Sequence, residues 1–178
     1  MPLALRAPSK AVRLALLNTW MWPFDDDAAM MRKAKVAGGV MGRLLYKYAN
    51  ASLRLIAPSA YGDRAKLTRP IHRQYLEVFR DRDARVRVLH TLAKSLIGSR
   101  DFYAGLLARA PDLRGLPTLI IWGMKDTAFP PYQLARWQQL LPDAEICRLE
   151  AAGHWPHEEQ PERVSAALEE FLRRIPTI

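Results

Sequence analysis

The sequence predicts an α/β fold: three parallel strands, with an all-helical insertion between the first and the second. Three observations carry this. "RLALLN" (13–18) and "LPTLIIWG" (116–123) are short apolar runs without alternation, as in strands buried on both faces. "AEICRLE" (144–150) reads as a third strand, and a helical segment separates it from the second. Strands joined through helices in this way form a parallel sheet with right-handed crossovers. Between the first two strands, residues 28–111 show helical spacing and no strand pattern.

Taken in order, Met1–Ser9 reads as the last turns of a helix leading into the first strand. "NTWMWPFDDD" (18–27) leaves that strand as an aromatic loop, in which Pro23 and three aspartates break any regular pattern. Helical spacing then runs to Ile56, with acids at its start where the helix dipole favours them. Gly38 and Gly39 are expected to weaken or bend it. "APSAYGD" (57–63) reads as a loop. Residues 69–98 hold one or two amphipathic helices, and 99–110 a further helix capped by Ser99 or Asp101. After the second strand, "PPYQLARWQQLLP" (130–142) is a helix with proline at its start and stop. "PERVSAALEEFLRRI" (161–175) closes the chain, with acids at its head and arginines at its tail. The expected regions are 1–24 (helix end, strand and loop of the sheet domain), 25–112 (helical insertion) and 113–178 (the rest of the sheet domain).

Composition narrows the function classes. A chain of 178 residues, 49% hydrophobic, has enough material for a real core and is not a disordered segment. A single cysteine, Cys147, excludes an internal disulfide framework and fits a reducing compartment. The four histidines and one cysteine lack structural zinc spacing. The formal charge is +9, and its excess lies in the first two thirds: 21 Lys+Arg against 9 Asp+Glu up to Gly115, then 6 against 9. These basic residues are spread singly, as in "RDRDARVRVLH" (80–90), with no run of five. That pattern argues for a solvated helical face and against a nucleic-acid partner. No apolar run approaches a membrane span, and "MPLALRAPSK" lacks a cleavage site of small residues. The expected setting is therefore cytoplasmic, with no membrane partner.

Two residues carry catalytic chemistry. "WGMKD" places Asp126 just past the second strand, after a glycine; "AAGH" places His154 just past the third, after another. Ligands of open parallel sheets bind beyond the carboxyl ends of the strands. If the two strands are neighbours, Asp126 can accept a hydrogen bond from one imidazole nitrogen and leave the other to take or deliver a proton. Trp20, Trp22, Phe129 and Trp155 are the candidate lining of a substrate pocket there. The structural alternatives are plain: Asp126 could cap the following helix, His154 could be an ordinary loop histidine, and the aromatics could pack under the insertion. His157 reads as a helix-start residue, and His72 and His90 as surface or interhelical groups.

"ALRAPSKAVRLALLNTW" (4–20), "PTLIIWGMKDTAFPP" (117–131) and "AAGHWPHEEQPERV" (151–164), with the helical block between them, resemble the C-terminal half of an α/β-hydrolase with its helical cap. The resemblance covers nearly the whole chain and is closest to haloalkane dehalogenases and related epoxide hydrolases. It implies a partial α/β-hydrolase fold, with 25–112 as the cap. In that family the nucleophile sits in a G-x-S-x-G turn, or has Asp in place of Ser. Ser9, Ser52, Ser59, Ser95, Ser99 and Ser165 are not framed in this way, and the turn is expected just before Met1.

The function implied is haloalkane-dehalogenase-like hydrolysis: an Asp nucleophile forms an ester, and water activated by His154 and Asp126 hydrolyses it. No metal or organic cofactor is implied. The alternatives are an epoxide hydrolase or esterase relative, or a non-catalytic basic interaction module. The partners implied are a small apolar substrate and, because the 13–18 strand lacks a neighbour on one side, a complementing N-terminal half or a second copy.

Overall fold

A computed structural model describes residues 1–7 and 10–174. Pro8 and Ser9, and the last residue of the expected closing helix, lie outside the described residues. The elements begin with α1 (Pro2–Arg6), β1 (Leu14–Leu17), α2 (Ala28–Gly38), α3 (Val40–Leu44) and α4 (Ala57–Ala60). There follow α5 (Arg69–Val78), α6 (Arg82–Gly98), α7 (Arg100–Ala108), β2 (Thr118–Gly123), α8 (Pro131–Leu140), β3 (Glu145–Leu149), α9 (Pro156–Glu159) and α10 (Pro161–Arg173).

The chain forms two compact units. One, the sheet unit, takes Met1–Trp20, Ser59–Leu67 and Arg109–Ile178; the other, the helical unit, takes Met21–Pro58 and Thr68–Ala108. The sequence placed residues 59–67 inside the helical block, whereas the structure groups them with the sheet.

In the sheet unit the strand order is β1-β2-β3, all parallel. β2 is central and wholly buried, which is why its sequence "TLIIWG" carries no polar alternation. Leu119, Ile121, Leu149 and Ala152 form a core cluster with Val164 and Phe171 of α10. The register sets Gly123, the last residue of β2, opposite Leu149, the last of β3, so the two loops that follow leave the same end of the sheet. Asn18 ends β1 with φ 33°, a left-handed conformation that Asn tolerates better than most residues.

The helical unit differs from the single long helix that the spacing suggested. Asp27 caps α2, its Oδ1 accepting from the N–H of Ala29 and of Met30 at 2.9 and 3.0 Å. The helix stops at Gly38, Gly39 is extended, and α3 restarts at Val40. Two wide π-type turns follow, Leu45–Ala49 and Ser52–Ile56, separated by Asn50 in the left-handed region at φ 50°. The segment expected as a loop from Ala57 is helical through Ala60.

Arg85 of α6 is buried, and its guanidinium donates to the carbonyls of Tyr46 and Lys47 (both 2.6 Å) and of Phe79 (3.0 Å). One cation thereby satisfies three backbone acceptors and ties the first π-type turn to α6. Among the described residues no helix is long and apolar enough to cross a membrane.

Candidate active site

Asp126 and His154 meet beyond the carboxyl ends of β2 and β3. His154 Nδ1 lies 2.8 Å from Asp126 Oδ2; the aspartate side chain is fully buried and the imidazole is 24% exposed. The loops come together because two glycines allow it. A Cβ on Gly123 would stand 2.0 Å from the carbonyl oxygen of Gly153, and one on Gly153 would stand 2.1 Å from that of Ala60. No side chain fits at either place. The N–H groups of Met124 and Lys125 then donate to the carbonyls of Leu149 and Ala152, locking the two loops in register.

Asp126 faces His154 and also holds the turn that precedes α8, whose own N-cap is Pro130. Its Oδ1 accepts from the N–H groups of Ala128 and Phe129 at 2.7 and 2.9 Å, closing the turn ahead of α8. Its Oδ2 accepts from Asn18 Nδ2 at 2.7 Å and faces His154. An ionised carboxylate only accepts, so the proton of this contact belongs to Nδ1 of the imidazole. The lone pair is then on Nε2, the nitrogen able to take a proton from a substrate or a water.

Around the imidazole stand Phe129 and Trp155, with ring centroids 5.4 and 5.2 Å from that of His154. Trp20 stacks on Phe129 at 4.9 Å. Three of the four predicted lining residues are thus gathered beside the dyad. The fourth, Trp22, belongs to the helical unit and is buried. His157 is exposed in α9. His72 Nε2 donates to the Leu53 carbonyl at 2.8 Å within the helical unit.

Three residues of the site had no local signal in the sequence. Asn18 bridges β1 to the dyad: besides Asp126, it takes the Gly123 N–H on its Oδ1 at 2.9 Å. Tyr61 packs on Trp155 at 5.1 Å and donates its hydroxyl to Glu158. Glu159 is buried; its Oε1 accepts from the Gly153 N–H at 2.7 Å and its Oε2 from the Asp63 N–H at 3.0 Å. With the His154 N–H donating to the Ala60 carbonyl at 2.8 Å, residues 60–63 form a strap across the histidine loop.

The sequence profile of the alpha/beta hydrolase fold matches residues 3–161. The chain belongs to the α/β-hydrolase fold family. The chain is 29% identical over 170 residues to haloalkane dehalogenase 2 of Mycobacterium tuberculosis, covering 94% of itself and 58% of that protein. It is 24% identical over 180 residues to the cis-3-alkyl-4-alkyloxetan-2-one decarboxylase of Shewanella oneidensis, covering 98% of itself and 56% of that protein. A haloalkane dehalogenase loop variant from Bradyrhizobium elkanii superposes with a TM-score of 0.79 at 18% identity, over 96% of this chain and 62% of its own. At that identity the likeness concerns the fold. The chain therefore spans rather less than two thirds of the length of these relatives.

Proposed function

We propose that this chain supplies the acid–base part of a haloalkane-dehalogenase-like active site. The observation that supports the reading best is the Asp126–His154 contact at 2.8 Å, with Asp126 held by three further donors. Asp126 fixes the imidazole so that Nε2 is the base. A carboxylate nucleophile displaces halide from an alkyl carbon and forms an alkyl ester. His154 Nε2 removes a proton from water, the hydroxide attacks the ester carbonyl, and the alcohol leaves as the carboxylate is restored. Phe129, Trp155 and Trp20 give the apolar wall that a small haloalkane needs; Trp22 is a further proposed contact from the cap. The proposed cap is the 25–112 insertion read from the sequence, apart from 59–67 and 109–112, which group with the sheet unit.

The 178 residues contain no Ser or Asp framed as G-x-S/D-x-G; the one pair of glycines at that spacing, Gly38 and Gly42, brackets Val40. In this proposal the nucleophile is contributed from outside them. The name of the mycobacterial relative, haloalkane dehalogenase 2, supports haloalkanes as the substrate class of this reading, with epoxides and esters as the alternatives. Halide release from a bromoalkane is the test. The 178-residue chain alone is expected to give none above background. The same chain preceded by a segment carrying a glycine-framed Asp is expected to turn over. Robust turnover by the chain alone, lost in His154→Ala, would place a nucleophile within these residues and overturn the assignment.

A further inference from the structure

We infer that the outward face of the helical unit between Val36 and Tyr48 docks on an anionic lipid surface. Val36, Val40, Met41, Leu44, Leu45 and Tyr48 are between 39% and 78% exposed. The segment has a definite inside, since Gly42, Tyr46 and Asn50 are buried on its other face. A helix that faces water ordinarily presents polar residues there, and here the exposed positions from 36 to 48 are apolar except for Arg43.

The charges say what covers them. Residues 28–62 contain six basic side chains, Arg32, Lys33, Lys35, Arg43, Lys47 and Arg54, and no acidic one. The acids that flank the segment on its N-terminal side include Asp25, which is paired with Arg100, and Asp27, whose carboxylate caps α2. Lys47 meets Asp83 at 3.2 Å in an exposed pair, an interaction too weak to hold it from another anion.

An exposed apolar strip in a segment whose charges are all Lys and Arg fits the headgroup–acyl boundary of an anionic bilayer. Valine, leucine and methionine enter the acyl region, tyrosine sits at the boundary, and the basic side chains reach back to phosphates. A nucleic acid offers nothing to the apolar residues. A second copy docked face to face would set like charges against each other. The absence of a membrane-spanning segment in the sequence leaves this open, because a docked helix lies in the interface and does not cross it.

Sedimentation of the 178-residue chain with sucrose-loaded vesicles tests the inference. Vesicles of phosphatidylcholine with about one third phosphatidylglycerol are expected to bind the chain at least ~10-fold more tightly than pure phosphatidylcholine. Raising the salt several-fold above physiological strength should weaken that binding, also by about 10-fold. The double variant Val40→Asp/Leu44→Asp should lose about 10-fold or more of the anionic-vesicle binding, with its circular dichroism and melting temperature unchanged. Leu172→Asp changes an exposed leucine of α10 in the same way and serves as the control; it should bind within about 2-fold of the parent. The inference fails if the parent does not bind, or if the double variant binds as the parent does. It also fails if light scattering shows a dimer that the double variant dissolves, which would assign the face to a second copy.

Discussion

If the proposed function holds, replacing His154 with Ala is expected to let a nucleophile-complete form of this protein release one halide per molecule and then stop. The displacement step needs only a carboxylate and an alkyl carbon, and no proton moves in it. The second step needs a base, because neutral water is a poor nucleophile toward an ester. Removing the imidazole should therefore spare the first step and slow the second by about 10²–10⁴-fold. Asp126→Asn should slow the same step by a comparable factor, about 10²–10⁴, by removing the acceptor that fixes the ring. The readouts are halide released per protein molecule and the mass of the alkyl group retained on the protein. Continued multiple turnover in His154→Ala would show that the base lies elsewhere.

Glu159→Ala is expected to be the most destabilising single change near the site. The carboxylate is buried and is the acceptor for two backbone donors, the N–H groups of Gly153 and Asp63. Truncation strands both, at about 1–3 kcal/mol each, so a loss of about 2–6 kcal/mol is expected. Against a total stability of about 5–15 kcal/mol, this is a large share. Glu159→Gln keeps one acceptor but turns an amide N–H₂ toward a donor, and should fall between the parent and the alanine variant. Urea unfolding followed by tryptophan fluorescence gives the order. An alanine variant within about 0.5 kcal/mol of the parent, the range of an ordinary surface change, would mean that the strap does not hold the loop.

The parts of this molecule that the sequence made legible are those with a local cause. The β2 strand shows itself because six buried residues in a row leave no room for polar alternation. Asp126 and His154 stand out because each follows a strand and a glycine, and the structure gives the reason: Gly123 and Gly153 approach backbone too closely to carry a side chain. Gly39 was legible for the same kind of reason, as a break between α2 and α3.

What stayed hidden is held by contacts between distant segments. Asn18 lies 108 positions from Asp126, and Glu159 lies 96 from Asp63. No spacing rule connects such pairs. Nothing in the charged stretch "HEEQPE" hints that Glu159 is buried. The membership of residues 59–67 in the sheet unit was hidden in the same way, since it follows from the strap bonds and from no feature of "SAYGDRAKL" itself. The left-handed Asn50 between two π-type turns has helical neighbours on both sides, so hydrophobic periodicity gives no sign of it.

The central claim, that Asp126 sets His154 as a base with its lone pair on Nε2, can be measured without turnover. Nitrogen-15 NMR of the labelled imidazole reports which ring nitrogen carries the proton in the neutral form. The expected result is a proton on Nδ1, strongly hydrogen-bonded and shifted downfield, with Nε2 unprotonated, and loss of that signature in Asp126→Asn. A neutral His154 protonated on Nε2, or one whose spectrum is the same in Asp126→Asn, would contradict the account.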